Sequence, residues 1–241
     1  MSINTQLKRS VSPSIHPAII TSIPNYENHK GYCGGAAEAL DTVYKSVADV
    51  IAVRQTVHLD ESRTPKAKSL AVADKAERYM ANLQKTLAAS WDRLDTGIRH
   101  IEKQLNAVIE QQASAGVVNG EIRAHAKSLS QTERAKLIQN ALQCGDVKTL
   151  GAILGAPPYL SGLNDEELKH YTRSYHEATN PELVSRLNVV TQVKQKLEQS
   201  KSIIQKEMQE AVGLTPFELA RLRAGSKAAE EALVLKEFTS V

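Results

Sequence analysis

Glu167 and His170 stand three residues apart in a stretch of helical composition, so both side chains fall on one helix face. That spacing is half of a di-iron carboxylate site, which needs a second Glu-x-x-His pair and two further glutamates. The sequence holds no second pair, and His176 falls out of phase with His170, so the face reads as solvated. Cys33 and Cys144 lie far apart, and neither has a CxxC partner, which argues against zinc. They read as two buried thiols of a reducing compartment. Gly145-Asp146, with Gly151 after it, marks a helix start that can hold an anion. No Lys-Ser/Thr follows, so it reads as a cap. No GxGxxG, P-loop or GxSxG occurs. The expectation is a non-enzyme with no catalytic, cofactor or metal residues.

A second kind of chemistry is charge. Lys194, Lys196, Lys201 and Lys206 lie on one expected helix, with glutamines between them and only Glu198 and Glu207 close by. Such a row over residues 190–206 can contact phosphates. It equally suits the solvated face of a coiled coil. No aromatic interleaves with the lysines along the chain, so base stacking is not indicated. Apolar groups are the third kind. Tyr159, Tyr171 and Tyr175 surround the Pro157-Pro158 loop, where tyrosines serve either an interface or a helical core. Tyr159 and Leu160, with Ile15, Ile19, Ile20 and Ile23 near the N-terminus, are the candidate contacts to a partner or a second copy.

The elements that carry these residues are helices. Aromatics make up only 4% of the 241 residues, and the net charge is +3 with a pI near 8.7. Nucleic acid is permitted as a partner but not demanded. From Thr64 to Gln112 the pattern predicts one uninterrupted helix. Met80, Leu83, Leu87, Trp91, Leu94, Ile98, Ile101, Leu105 and Val108 follow steps of 3, 4, 4, 3, 4, 3, 4, 3. That is a heptad seam with one stutter, on a rod of roughly 70 Å. Gly97 inside it marks a close approach of another backbone or a slight bend. Leu183, Val190, Leu197, Ile204 and Ala211 repeat every seven residues in a second long helix, about 181–212.

Around these rods the punctuation is dense. Gly34-Gly35 opens a helix from Ala36 to about Val57, striped by Leu40, Val43, Val47, Val50 and Ile51. Val117-Val118-Asn119-Gly120 reads as a turn. Short helices over 119–178 start at a Ser130/Glu133 capping box, at Asp146, and at an Asn164/Glu167 pair. Thr215 and Glu218 frame a last helix, 215–238, which Gly225 interrupts before an apolar end of Leu233, Val234, Leu235 and Phe238. Residues 1–30 carry Pro13, Pro17 and Pro24 and, before Glu27, only Lys8 and Arg9 as charges. They read as an extended arm, either a disordered tail or one whose isoleucines lie in a groove on the same chain or dock on a neighbouring subunit. The expected fold is all-α: an elongated helical bundle with two long heptad-patterned helices in a single domain, 31–241, and an extended N-terminal arm. No signal peptide and no membrane-spanning segment is expected.

Glu121-Ile122-Arg123, Glu133-Arg134, Gly145-Asp146 and Ala156-Pro157-Pro158-Tyr159-Leu160-Ser161-Gly162-Leu163 form a pattern of helix breaks. Over residues 119–171 this pattern resembles small helical proteins from the structural gene modules of tailed bacteriophages. The resemblance implies a virion or virion-assembly role, such as a head-to-tail adaptor or an internal, ejected component. It implies assembly in the host cytoplasm, a homo-oligomer, and a portal or tail component as partner. Two other readings stand beside it. One is a cytosolic helical adaptor. The other is a nucleic-acid-associated coiled-coil protein that uses the lysine-bearing helix.

Overall fold

The computed structural model describes residues 10–113 and 116–233, and among them no strand forms. The side chains of Val108 and Leu233, and the residues Val234, Leu235, Phe238, Lys8 and Arg9, lie outside what is described. After a 3-10 turn at Pro13–Ile15 the helices are α1 (Ala18–Thr21), α2 (Tyr26–His29), α3 (Ala36–His58), α4 (Pro65–Ala113), α5 (Val117–Ser128), α6 (Gln131–Cys144), α7 (Val147–Leu154), α8 (Pro158–Ser161), α9 (Asp165–Thr179), α10 (Pro181–Val212) and α11 (Pro216–Leu233). Among the described residues no helix is long and apolar enough to cross a membrane.

Local chemistry sets these boundaries. Ser130 and Asn164 each accept from the backbone N–H three residues on, while Glu133 and Glu167 reach back to their N–H groups. Thr215 and Glu218 do the same at the start of α11, and Asp146 caps α7 through the Thr149 N–H at 3.0 Å. Each bond satisfies a donor that the first helical turn leaves open. Two expectations fail locally. Val117–Gly120 is the first turn of α5 rather than a loop, and α11 runs through Gly225 without a break. Among the described residues nothing lies within 4 Å of where a Cβ on Gly97 would stand, so the expected close approach is not seen there.

The chain divides into two compact units. Unit 1 is Met1–Arg93 with Gln192–Val241, and unit 2 is Leu94–Thr191.

In unit 1, α3 buries Leu40, Val43, Val47, Val50 and Ile51 as its stripe requires. The expected extended arm is instead a folded strap. Pro13 and Pro17 sit at helix starts, where a missing N–H costs nothing, so proline limits helix length here without preventing helical turns. The 3-10 turn and α1 pack on α3, and the His16 ring meets Tyr44 edge-on at 5.0 Å. The Ser12 N–H donates to Glu207 of α10 at 3.3 Å. Ile15 and Ile20 are fully buried, Ile23 is buried and Ile19 half-buried, so these isoleucines belong to their own chain's core. Burial also pushes the Tyr26 hydroxyl up to about 12. The Cys33 thiol is buried too, and burial with nearby Glu38 pushes it up to about 11. Cys144 is exposed, contrary to the reading of two buried thiols.

Helix α4 is pinned to its neighbours in unit 1 by charged groups. The Tyr79 hydroxyl donates to Asp49 of α3, and Lys75 approaches the same carboxylate at 3.0 Å. Both hold Asp49 below the usual carboxylate range, Tyr79 most. The Arg223 fork from α11 grips Asp74 at 2.8 Å and Glu77 at 2.5 Å. The buried line of α4 here is Val72, Ala73, Ala76, Leu83 and Ser90, whereas Met80, Leu87 and Trp91 are half-buried. Farther on, Leu94, Ile101 and Leu105 are buried as the heptad reading expects, followed by Ile109.

Unit 2 builds its core from Ile109, Ala126, Ile138, Leu150, Ile153 and Tyr175, with Tyr171 packed against it. Helix α7 lies against α5, α6 and α9. His176 is only 6% exposed, and neither ring nitrogen meets a partner. Burial lowers its pKa.

Two measurements check this packing. Ile20→Ala is expected to cost about 2–5 kcal/mol, read as a lower thermal midpoint, because it opens a cavity in the core. An unchanged midpoint would mean that the strap is not part of the monomer's core. His176 must stay neutral when folded, yet takes up a proton near 6.5 when unfolded. Its contribution to stability is therefore complete above that pH and is lost as pH falls below it. Urea midpoints measured from neutral to mildly acid pH should decline less in His176→Leu than in the native chain, and equal declines would exclude His176 as the cause.

Candidate interaction surfaces

The residues singled out for chemistry are occupied structurally. The Glu167 carboxylate accepts from the Asn164 N–H at 2.9 Å and from Gln131 Nε2 at 2.7 Å, and those bonds, Asn164 first, hold it below its usual range. His170 is exposed, with its ring edge-on to Tyr171 at 5.3 Å. Among the described residues no three His, Cys, Asp or Glu groups are placed to hold a metal ion. Asp146 spends its carboxylate on Thr149, which lowers its pKa, so the start of α7 carries its own negative charge.

The lysine row is divided by the fold. Lys194 lies over the Trp91 ring at 4.3 Å, and Lys201 lies 5.5 Å from the same ring centre. Lys201 also pairs with Glu198 at 2.8 Å, which holds that carboxyl below its usual range. Lys206 stands 3.9 Å from Glu210, and Lys196 is exposed. The missing aromatic therefore exists, supplied by α4. It is the cation–π partner of two lysine ammonium groups rather than a platform interleaved between them.

Beside Trp91, an open cavity of about 260 Å³ is lined by Met80, Leu87, Ala88, Trp91 and Ile204, with Lys201 at its wall. A second, of about 210 Å³, shares Met80 and Gln205 with it and extends to Leu219. Phe217 is 76% exposed.

In unit 2 the Pro157-Pro158 loop is held from beneath. The Ser161 hydroxyl is fully buried and donates to the Ile153 carbonyl at 2.9 Å. Arg134 donates to the Ala126 carbonyl at 2.8 Å, to Leu129 at 2.9 Å, and to Gly162. Gly162 has φ +74°, and a Cβ there would lie 2.9 Å from the guanidinium. Above this anchor Tyr159 is 66% and Leu160 39% exposed. Tyr175, by contrast, is core, so the three tyrosines do not form one surface cluster. Of the sequence candidates, Tyr159 and Leu160 come together on the surface and the isoleucines do not. Trp91 and Arg134 were missed, because their partners lie on other helices.

Compared with known proteins, the chain matches no protein-family model, no curated sequence and no solved structure.

Arg134→Ala would leave the Ala126, Leu129 and Gly162 carbonyls without this donor. It is expected to cost about 2–4 kcal/mol, since hydrogen bonds to a charged donor are each worth about 1.5–3 kcal/mol before relaxation. Arg134→Lys should recover only part of the loss, because an ammonium lacks the planar fork. Thermal melting of both variants checks this, and full rescue by lysine would reject the fork geometry.

Proposed function

We propose that the chain is a non-enzymatic assembly protein that binds partners through preformed helical surfaces. The observation that carries this reading is the Tyr159–Leu160 pair, an exposed aromatic and an exposed aliphatic on the single helical turn of α8, where a loop was expected, fixed by two prolines, Ser161 and Arg134. Rigid aromatic anchors bind well because little side-chain or loop entropy remains to be lost. The two long helices, α4 and α10, are the frame this reading assigns to an elongated bundle.

The finer form of the proposal is a virion or virion-assembly setting, with a portal or tail component as partner. Its support is the resemblance carried by the helix breaks of residues 119–171, within which the Tyr159 loop falls. Mass spectrometry of tailed particles, purified from cells that make the protein, tests both levels. The native chain is expected among the particle proteins. A Tyr159→Ala/Leu160→Ser variant should melt within a few degrees of it yet be recovered at least about fivefold less, the loss of about 1 kcal/mol of anchor binding. Equal recovery removes the loop from the reading, and absence of the native chain removes the virion setting.

A further inference from the structure

On α4, within unit 1, Arg78, Ala81, Lys85, Ala88 and Asp92 follow steps of 3, 4, 3, 4, and all five are exposed. This is a second seam, distinct from the buried line of Ala76, Leu83 and Ser90. We propose that it is the docking face for a second copy of this chain, with the two α4 helices antiparallel about a two-fold axis near Ala88 and Ala89.

The charges select both the occupant and the direction. Lys85 and Asp92 are two turns apart, about 10.5 Å along the axis, too far to meet within one helix. Neither has an opposite charge three or four residues away: Lys85 has Ala81, Asn82, Ala88 and Ala89 there, and Asp92 has Ala88, Ala89, Asp95 and Thr96. Among the described residues neither is in an ion pair, although Asp74 and Glu77 on the same helix hold Arg223. Parallel pairing in register would set lysine against lysine and aspartate against aspartate. Antiparallel pairing centred on Ala88 and Ala89 sets Lys85 of each copy against Asp92 of the other. The same register sets Arg78 opposite Arg99, whose guanidinium its own Asp95 holds at 3.2 Å, so the Lys85–Asp92 exchange alone carries the charge complementarity that an isologous contact needs.

The cavity beside the seam supplies the apolar part. Ala88 and Asp92 belong both to the seam and to the wall formed with Met80, Leu87 and Trp91. The small side chain at Ala88 lets a second helix approach closely, and a helix laid there closes the open side. This contact deepens the assembly reading by naming one partner, but it uses no residue of the Tyr159 loop, so either can fail alone.

Equilibrium sedimentation of the full chain at micromolar concentrations tests the pairing, using Lys85→Asp, Asp92→Lys and the double swap. All substituted positions are exposed, so circular dichroism and melting should remain near native. Each single variant should weaken dimerisation at least about tenfold, because the like-charge clash occurs twice across the axis. The double swap should return to within about threefold of the native chain. Trp91, the single tryptophan, gives a second readout. Its emission should move to shorter wavelength as the dimer forms and should not do so in the single variants. A native chain that stays monomeric, single variants that dimerise normally, or a double swap that does not recover would each overturn the proposal.

Discussion

An arginine fork laid across the end of a helix recurs in both units, and much of the remaining structure hangs from it. In unit 1, Arg54 of α3 donates to the Glu210 and Ala211 carbonyls at the end of α10, each at 3.4 Å. In unit 2, Arg134 of α6 covers the carbonyls at the end of α5 and at Gly162 after α8. The physical need is the same. The last carbonyls of a helix have no intrahelical donor and carry the negative end of its dipole, so a guanidinium both bonds and neutralises them. The chain must then turn away without a side chain beneath the fork. Gly213 has φ +77° and Gly162 has φ +74°, and at each a Cβ would run into the guanidinium. Glycine therefore serves both the backbone conformation and the stacked arginine.

This device explains what was legible in the sequence and what was not. The glycine stops could be read, because a positive-φ turn after a helical pattern is local chemistry. The capping boxes at Ser130, Asn164 and Thr215 could be read for the same reason, since every participant lies within three residues. The arginines could not, because Arg134 and Gly162 are 28 residues apart and nothing in the spacing pairs them. The strap before Gly31 was misjudged through its prolines. They restrict φ and remove donors, which forbids a long helix, but single turns that begin at proline need neither concession. The isoleucine spacing held the better signal, as Ile15, Ile20 and Ile23 all reach the core.

Helix α4 shows the limit of a heptad scan. The scan followed the largest apolar residues and so placed Met80, Leu87 and Trp91 in the seam. In unit 1 the deepest positions are occupied by Val72, Ala73, Ala76, Leu83 and Ser90, and only Leu83 belongs to the scanned columns. Small residues at a buried face leave little trace in hydrophobicity, although they are the side chains that permit close helix packing. The larger residues beside them are left half-buried along an open groove. Beyond Leu94 the scan and the buried line share Ile101 and Leu105, while Ile98 of the scan is half-buried and the buried line continues at Ile109, which the scan did not include.

The distribution of exposed groups separates recognition from solvation. The lysines of α10 looked like one positive stripe, but the fold lays Lys194 and Lys201 on Trp91 and pairs Lys201 with Glu198. Their ammonium groups lie against the indole face, a cation–π contact that needs no phosphate partner. Tyr159 is the opposite case. It is 66% exposed, although the turn beneath it is bound at Ser161 and at Gly162. A tyrosine left on a mobile loop could fold back and lower its own exposed area, whereas this one is held where it cannot. Rigid support beneath an exposed ring transfers the free energy of burial from folding to association. That contrast is why the proposed partner contact is put at Tyr159 and not at the lysine row.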